Sequence, residues 1–94
     1  MEISMLSGTK SKLLFIGENE HNELLFRFKG PKQVVERMQR VVKTHFNLVG
    51  EIEFLRIGNR YGIFFRLGHE TVQNGPEKIP QFAKTLSVLY SASL

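Results

Sequence analysis

The sequence predicts a two-layer α+β sandwich, in which an antiparallel sheet of four to five strands carries two helices on one face. Short segments rich in Val, Ile, Leu and Phe, broken by Gly and Asn, indicate the strands, with residues 3–6 as a fifth strand at an edge. Two longer stretches whose apolar residues recur every three to four positions indicate the helices. A chain of 94 residues is expected to form a single domain over 1–94.

The first hairpin is predicted over residues 12–29. Its ladder pairs Leu13 with Phe28 on the core side and runs without interruption to the turn, where Glu18 lies opposite Glu23. This last pair sets two like charges side by side, which disfavours that end of the register.

The second hairpin is better specified, because Gly58 suits the first position of a two-residue turn that requires a positive φ. The register that follows from this turn pairs Phe54 with Ile63 on the core side. On the other side it places Glu51 opposite Arg66, which predicts a cross-strand ion pair.

Both helices are predicted to be apolar on one side only. The first begins after Gly30, with Pro31 in its first turn, where a missing N–H is harmless, and runs to about Phe46. The second begins at Pro80. Both are therefore expected on the same sheet face, which leaves the other face uncovered. The apolar stripes are Val34, Val35, Met38, Val41, Val42 and Phe46 in the first helix, and Ile79, Phe82, Ala83, Leu86, Leu89 and Tyr90 in the second.

The two halves of the chain resemble each other and predict an internal repeat over residues 12–46 and 51–91. The segment LLFRFKG, which starts at Leu24, aligns with IFFRLG, which starts at Ile63, at an offset of 39 residues. Each copy then reaches a Gly-Pro pair before its helix. The repeated unit is therefore a hairpin followed by a helix.

The composition narrows the class of protein. The chain has 13 Lys and Arg against 9 acidic residues, a net charge of +4, and all the acids are glutamate. It contains no cysteine, so we expect no disulfides and a reducing, cytoplasmic location. The longest apolar run, residues 13–16, is far short of a membrane span, and no leader sequence opens the chain. We therefore expect a soluble protein with no membrane partner.

The sequence contains no arrangement that predicts catalysis. His21, His45 and His69 have no second ligand at a spacing typical of metal sites, and no serine lies in a Gly-x-Ser-x-Gly turn. Residues 17–23 are rich in oxygen and nitrogen ligands, but this composition is typical of a solvated hairpin loop. We therefore predict a protein that is not an enzyme and binds no metal or cofactor.

Positive charge is concentrated in the middle of the chain. Residues 27–66 contain nine Lys and Arg against three Glu, a net charge of +6, and hold all six arginines. The guanidinium of arginine can donate two parallel hydrogen bonds to a phosphate and can stack on a base, so this clustering favours an acidic partner.

The binding site is predicted on the uncovered sheet face. In the preferred interpretation, RNA or single-stranded DNA binds there: cationic side chains contact the phosphates and Phe64 stacks on a base. The predicted site residues are Arg27, Lys29, Arg60, Phe64, Arg66, Leu25 and Ile57.

Two alternatives use the same face differently. In the first, Leu25, Ile57 and Phe64 form the dry centre of an interface with an acidic protein or with a second copy of the chain, which suits a regulatory or adaptor protein. In the second, the N-terminal strand or a long loop covers the face, and there is no binding site.

The segment from Arg60 to Leu67, RYGIFFRL, resembles the aromatic strand signature of RNA-recognition motifs. That family orders its elements as strand, helix, strand, strand, helix, strand. This chain predicts hairpin, helix, hairpin, helix, and its aromatic spacing differs. We therefore infer no family from this segment.

Overall fold

One antiparallel sheet of five strands, in the order β1-β2-β3-β5-β4, carries two helices on one of its faces. The computed structural model describes residues 1–72 and 75–93. The predicted α+β class, the sheet and the two helices are confirmed. The elements are β1 (Glu2–Met5), β2 (Ser11–Glu18), β3 (Glu23–Gly30), α1 (Lys32–His45), β4 (Glu53–Ile57), β5 (Arg60–Gly68), a 3-10 turn (Gly75–Lys78) and α2 (Ile79–Ala92).

Strand β1 lies at one edge of the sheet, where it pairs antiparallel with β2 and sets Ile3 opposite Leu13. The N-terminal strand therefore extends the sheet instead of covering the face opposite the helices. The alternative in which this strand closes the predicted binding face is wrong.

The β2–β3 hairpin follows the predicted register from Lys12 opposite Lys29 as far as Phe15 opposite Phe26. A β-bulge at Ile16 then adds one residue to β2. The uninterrupted ladder predicted for this hairpin is wrong beyond this point.

The bulge separates two glutamates that the predicted ladder had placed side by side. Glu18 lies opposite Leu24 instead of Glu23. Its Oε2 is 2.8 Å from Nε2 of His69. The predicted like-charge contact is thus replaced by a contact with an imidazole, which favours the irregular strand over the regular ladder.

The β4–β5 hairpin has the predicted register, with Phe54 opposite Ile63, and its turn residue Gly58 has a φ of +60°. The ladder ends at Glu53, however. The backbone carbonyl of Arg66 accepts a hydrogen bond from the N–H of Val49 at 3.0 Å, so β5 pairs there with an earlier part of the chain and not with residue 51.

The predicted ion pair between Glu51 and Arg66 is therefore wrong, since residues 50–52 lie outside the ladder between β4 and β5. Nη1 of Arg66 instead lies 3.4 Å from Oε1 of Glu23 on β3. The partner of Arg66 comes from the neighbouring strand on its other side.

The hydrophobic core lies between the sheet and both helices. Each helix buries one stripe: Val35, Met38, Val41 and Val42 from α1, and Ile79, Phe82, Ala83 and Leu86 from α2. The sheet contributes Leu13, Leu24, Phe26, Phe28, Ile63, Phe65 and Leu67, all at 0% exposure. The predicted helical stripes thus supply the core.

Phe26 lies at the centre of this core. Its ring centroid is 5.4 Å from that of Phe65, 5.1 Å from that of Phe82 and 5.5 Å from that of Phe15. These contacts join β2, β3, β5 and α2, so one side chain connects most of the elements of the fold.

The two halves of the chain each place a hairpin before a helix, as the predicted repeat requires. Phe26 and Phe65, which the sequence alignment equates, lie directly opposite each other at the centre of the sheet. Two unrelated hairpins that pair through their inner strands can produce the same arrangement. The internal repeat therefore stays a prediction.

We expect Phe26→Ala to lower the free energy of unfolding by about 3–5 kcal/mol, because it leaves a cavity among three other rings. Urea denaturation measures this change. The control Val88→Ala, at a side chain 68% exposed on α2, should change it by less than about 0.5 kcal/mol. Equal losses in both variants would contradict the central role of Phe26.

Candidate binding face

The sheet face turned away from both helices is the candidate site, and we call it the open face. Side chains alternate along each strand, so residues one position from a core residue lie on the opposite side of the sheet. Every side chain that forms the open face is partly or fully exposed. The open face is formed by Lys12 and Leu14 of β2, Glu23, Leu25, Arg27 and Lys29 of β3, Arg60, Phe64 and Arg66 of β5, and Glu53, Leu55 and Ile57 of β4.

The pairing of β3 with β5 brings the predicted site residues together from two distant parts of the chain. Arg27 lies directly opposite Phe64, and Leu25 lies opposite Arg66. All seven predicted residues lie on the open face, including the remaining three: Lys29 opposite Gly62, and Ile57 opposite Arg60.

Two glutamates neutralise part of the charge of the open face, and neither of these ion pairs was predicted from the sequence. Oε1 of Glu2 on β1 lies 3.3 Å from Nζ of Lys12, and Glu23 forms the 3.4 Å contact with Arg66. The first pair offsets the repulsion between Lys12 and Lys29, which lie opposite each other. Strand pairing was the missing signal, because neither glutamate is near its partner in sequence.

Glu23 is itself positioned by the turn between β2 and β3. Oδ1 of Asn19 accepts hydrogen bonds from the backbone N–H groups of His21 and Glu23, each at 3.0 Å. Nδ2 of Asn19 donates to Oε1 of Glu23 at 2.7 Å. The asparagine thus orders the turn and orients the carboxylate that contacts Arg66.

Arg27 and Lys29 form no ion pair with any described residue. Arg27 also makes no side-chain hydrogen bond in the part of the chain that the structure describes, and its Nε is shielded from solvent without an acceptor. A shielded, unsatisfied donor costs about 1–3 kcal/mol. Arg27 and Lys29, two residues apart on β3, are therefore cations of the open face that no described carboxylate neutralises, and Arg60 is a third.

Arg60 is held differently from Arg27, although its Nε is also shielded from solvent without an acceptor. Its Nη2 donates to the backbone carbonyl of Lys10 in the loop between β1 and β2. This contact joins β5 to the opposite edge of the sheet, so Arg60 has a structural role besides any contact with a ligand.

Four residues form one row across the open face, from β2 to β4. Leu14 lies opposite Arg27, Arg27 opposite Phe64, and Phe64 opposite Glu53. The row therefore presents an aliphatic, a cationic, an aromatic and an anionic side chain in turn. Phe64 lies at its centre with its ring partly exposed.

Much of the positive charge between residues 27 and 66 lies elsewhere. Lys32, Arg37, Arg40 and Lys43 belong to α1, on the far side of the domain. Arg56 lies on the helix side of β4, with its guanidinium carbon 5.9 Å from the ring centre of Tyr61. One flat ligand cannot contact both sides, so the net charge of this segment overstates the charge of the open face.

Two clefts lined by described residues lie away from the open face. One of about 200 Å³ lies between Phe46 and the start of α2, and another of about 390 Å³ lies between α1 and the loop at residues 48–52. The open face is a shallow surface, which suits an extended ligand better than an enclosed small molecule.

Comparison of the chain with models of protein families, with curated proteins and with solved structures found no match in any of the three. Over the described residues, no helix is long and apolar enough to span a membrane. The same residues contain no group of three or more His, Cys, Asp or Glu side chains placed to hold a metal ion.

We expect Asn19→Ala to lower the free energy of unfolding by about 1–2 kcal/mol, because three hydrogen bonds of the turn are lost. Urea denaturation measures the loss. Asn47→Ala, at an exposed position after α1, is the matched control and should have little effect. An equal loss in the two variants would show that Asn19 does not order the turn.

Proposed function

We propose that this protein is a non-catalytic binding module whose open face binds single-stranded nucleic acid, either RNA or DNA. One observation carries the proposal: Arg27, which forms no ion pair with the described residues, lies directly opposite the partly exposed ring of Phe64 at the centre of the open face. The cysteine-free sequence supports a reducing compartment, and we propose the cytoplasm.

The chemistry of this pair matches the two parts of a nucleotide. A guanidinium group donates two parallel hydrogen bonds to a phosphate, while an exposed aromatic ring stacks on a base. Lys29 lies two residues from Arg27 on the same strand, about 7 Å away, and adds a second cation along the path of the backbone. This arrangement contacts the phosphates and the flat face of a base, which all nucleotides share, so we expect the protein to bind with weak sequence preference.

Single strands fit the open face better than a duplex does. The described elements on this side are strands alone, with no helix that can enter a major groove. A ring that lies within a flat sheet reaches a base only when that base is unstacked from its neighbours, as in single-stranded RNA or DNA.

We expect Arg27→Glu to weaken binding of a short, labelled, mixed-sequence RNA or single-stranded DNA. It should also reduce the slope of log K against log salt by about one unit, because one phosphate contact is lost. Fluorescence anisotropy at several salt concentrations measures both quantities.

The matched control is Arg40→Glu, which makes the same change of net charge on the exposed side of α1. It should leave the affinity nearly unchanged. Equal weakening by the two variants would mean that binding depends on net charge alone, and would refute the assignment of the open face.

Phe64→Ala tests the stacking contact and should weaken binding by about 1–3 kcal/mol. Phe54→Ala is its control, since Phe54 is an exposed phenylalanine on the helix side of β4.

Titration of isotope-labelled protein with the same nucleic acid tests the site as a whole. The amide NMR signals of Arg27, Lys29 and Phe64 should shift, and added salt should reverse these shifts. Unchanged spectra would contradict the proposal.

A second candidate function is association of the open face with an acidic protein or with another copy of the chain. The apolar side chains of this face favour it, since Leu25 and Leu55 are partly exposed and Ile57 is 37% exposed. Apolar patches of this kind occur at protein interfaces.

Leu25→Lys separates the two functions. It places a charge in the apolar part of the open face, so it should abolish protein association while leaving nucleic-acid affinity equal or stronger. Sedimentation velocity and anisotropy measure the two effects. If association persists in this variant, the second candidate is wrong.

A further inference from the structure

Strand β4 forms one edge of the sheet and carries hydrogen-bonding groups that lack a partner among the described residues. Ile57 and Arg60 flank the two-residue turn, so they exchange both backbone hydrogen bonds, and bonded pairs alternate from there along the ladder. The N–H and C=O of Phe54 and Arg56 therefore point away from β5. No described backbone group outside the ladder bonds to them.

Three of the five side chains of β4 are apolar, and the other two, Glu53 and Arg56, carry opposite charges. Phe54 is 41% and Ile57 is 37% exposed, and Leu55 between them is partly exposed. The pairing of β4 with β5 is regular, without the bulge that often protects an edge, and the strand contains no proline or lysine.

We propose that β4 pairs with β4 of a second copy of this chain, antiparallel, about a two-fold axis at Leu55. Phe54 then lies opposite Arg56 of the other copy, and the two such pairs form four backbone hydrogen bonds from groups that point outward in each monomer. The two sheets join into a continuous sheet with the helices of both copies on the same side.

The sequence of β4 selects this register. It pairs all five residues of the strand, with Leu55 opposite itself and Glu53 opposite Ile57. A shift of two residues in either direction pairs only three strand residues. In one of those directions, Arg56 lies opposite Arg56, which like-charge repulsion disfavours.

The side chains around Phe54 and Arg56 complement each other across the axis. In each monomer, both already lie near the ring of Tyr61, with the Phe54 ring centre 6.0 Å and the Arg56 guanidinium carbon 5.9 Å from it. Pairing places the guanidinium of one copy beside the Phe54 ring of the other, a cation–π contact repeated by symmetry. The opposite charges of Glu53 and Arg56 also keep the strand neutral, so two copies do not repel each other there.

Disulfide cross-linking tests the register directly, because the chain has no cysteine of its own. In the proposed dimer, the two copies of Leu55 form a non-hydrogen-bonded pair with Cα atoms about 4.5 Å apart, within the range of a disulfide. The two copies of Ile57 lie four residues out of register, about 14 Å apart.

Mild oxidation should therefore convert Leu55→Cys into a covalent dimer at least about tenfold faster than Ile57→Cys, as measured on non-reducing gels at micromolar protein. Equal rates would indicate random collision, and a faster reaction of Ile57→Cys would indicate another register. Either result would overturn the proposal.

Phe54→Pro separates edge pairing from association through the open face. The N–H that it removes points away from β5, so the monomer ladder is retained, while each dimer loses two intermolecular hydrogen bonds. Sedimentation equilibrium should show a dissociation constant raised about tenfold or more, with an unchanged circular dichroism spectrum.

A wild-type protein that remains monomeric in the same experiment would overturn the proposal. So would a wild-type dimer that Phe54→Pro leaves intact. The second result, together with loss of the dimer in Leu25→Lys, would assign self-association to the open face. None of these outcomes depends on whether the protein binds nucleic acid.

Discussion

The antiparallel pairing of β3 with β5 is the constraint on which the rest of the structure depends. It stacks Phe26 on Phe65 on the helix side, with ring planes 16° apart, and it sets Arg27 opposite Phe64 on the other side. Residues that lie opposite each other share a face, so a slip of one residue would turn the core side chains of one of the two strands towards the surface. Core and candidate site are therefore two results of the same register.

Local signals in the sequence were sufficient for much of this architecture. Gly58 specified a two-residue turn, and this turn determined the register of β4 with β5. The periodicity of the apolar residues identified both helices and the sides that they bury. These features depend on residues close together in the chain, where backbone preference and side-chain spacing act directly.

Features that depend on distant residues were not predictable in the same way. The contact between Glu23 and Arg66 joins residues separated by 43 positions, and it required the knowledge that β3 lies beside β5. The bulge at Ile16 relieves the like-charge pair that a regular ladder would form between Glu18 and Glu23, but nothing in the local pattern shows which residue is extruded. The seven predicted residues share one face of the sheet, as the sequence indicated, whereas the pairing of two cations of this face with Glu2 and Glu23 was not predicted.

The bulge in β2 also bears on how this fold tolerates evolutionary change. Phe15 and Gly17 lie opposite Phe26 and Leu25, which are adjacent on β3. A chain that lacked the intervening residue would therefore retain both pairs and form an ordinary ladder. Deletion of Ile16 should therefore leave the neighbouring strands in place, whereas deletion of a residue within the regular part of β2 would shift its side chains to the other face.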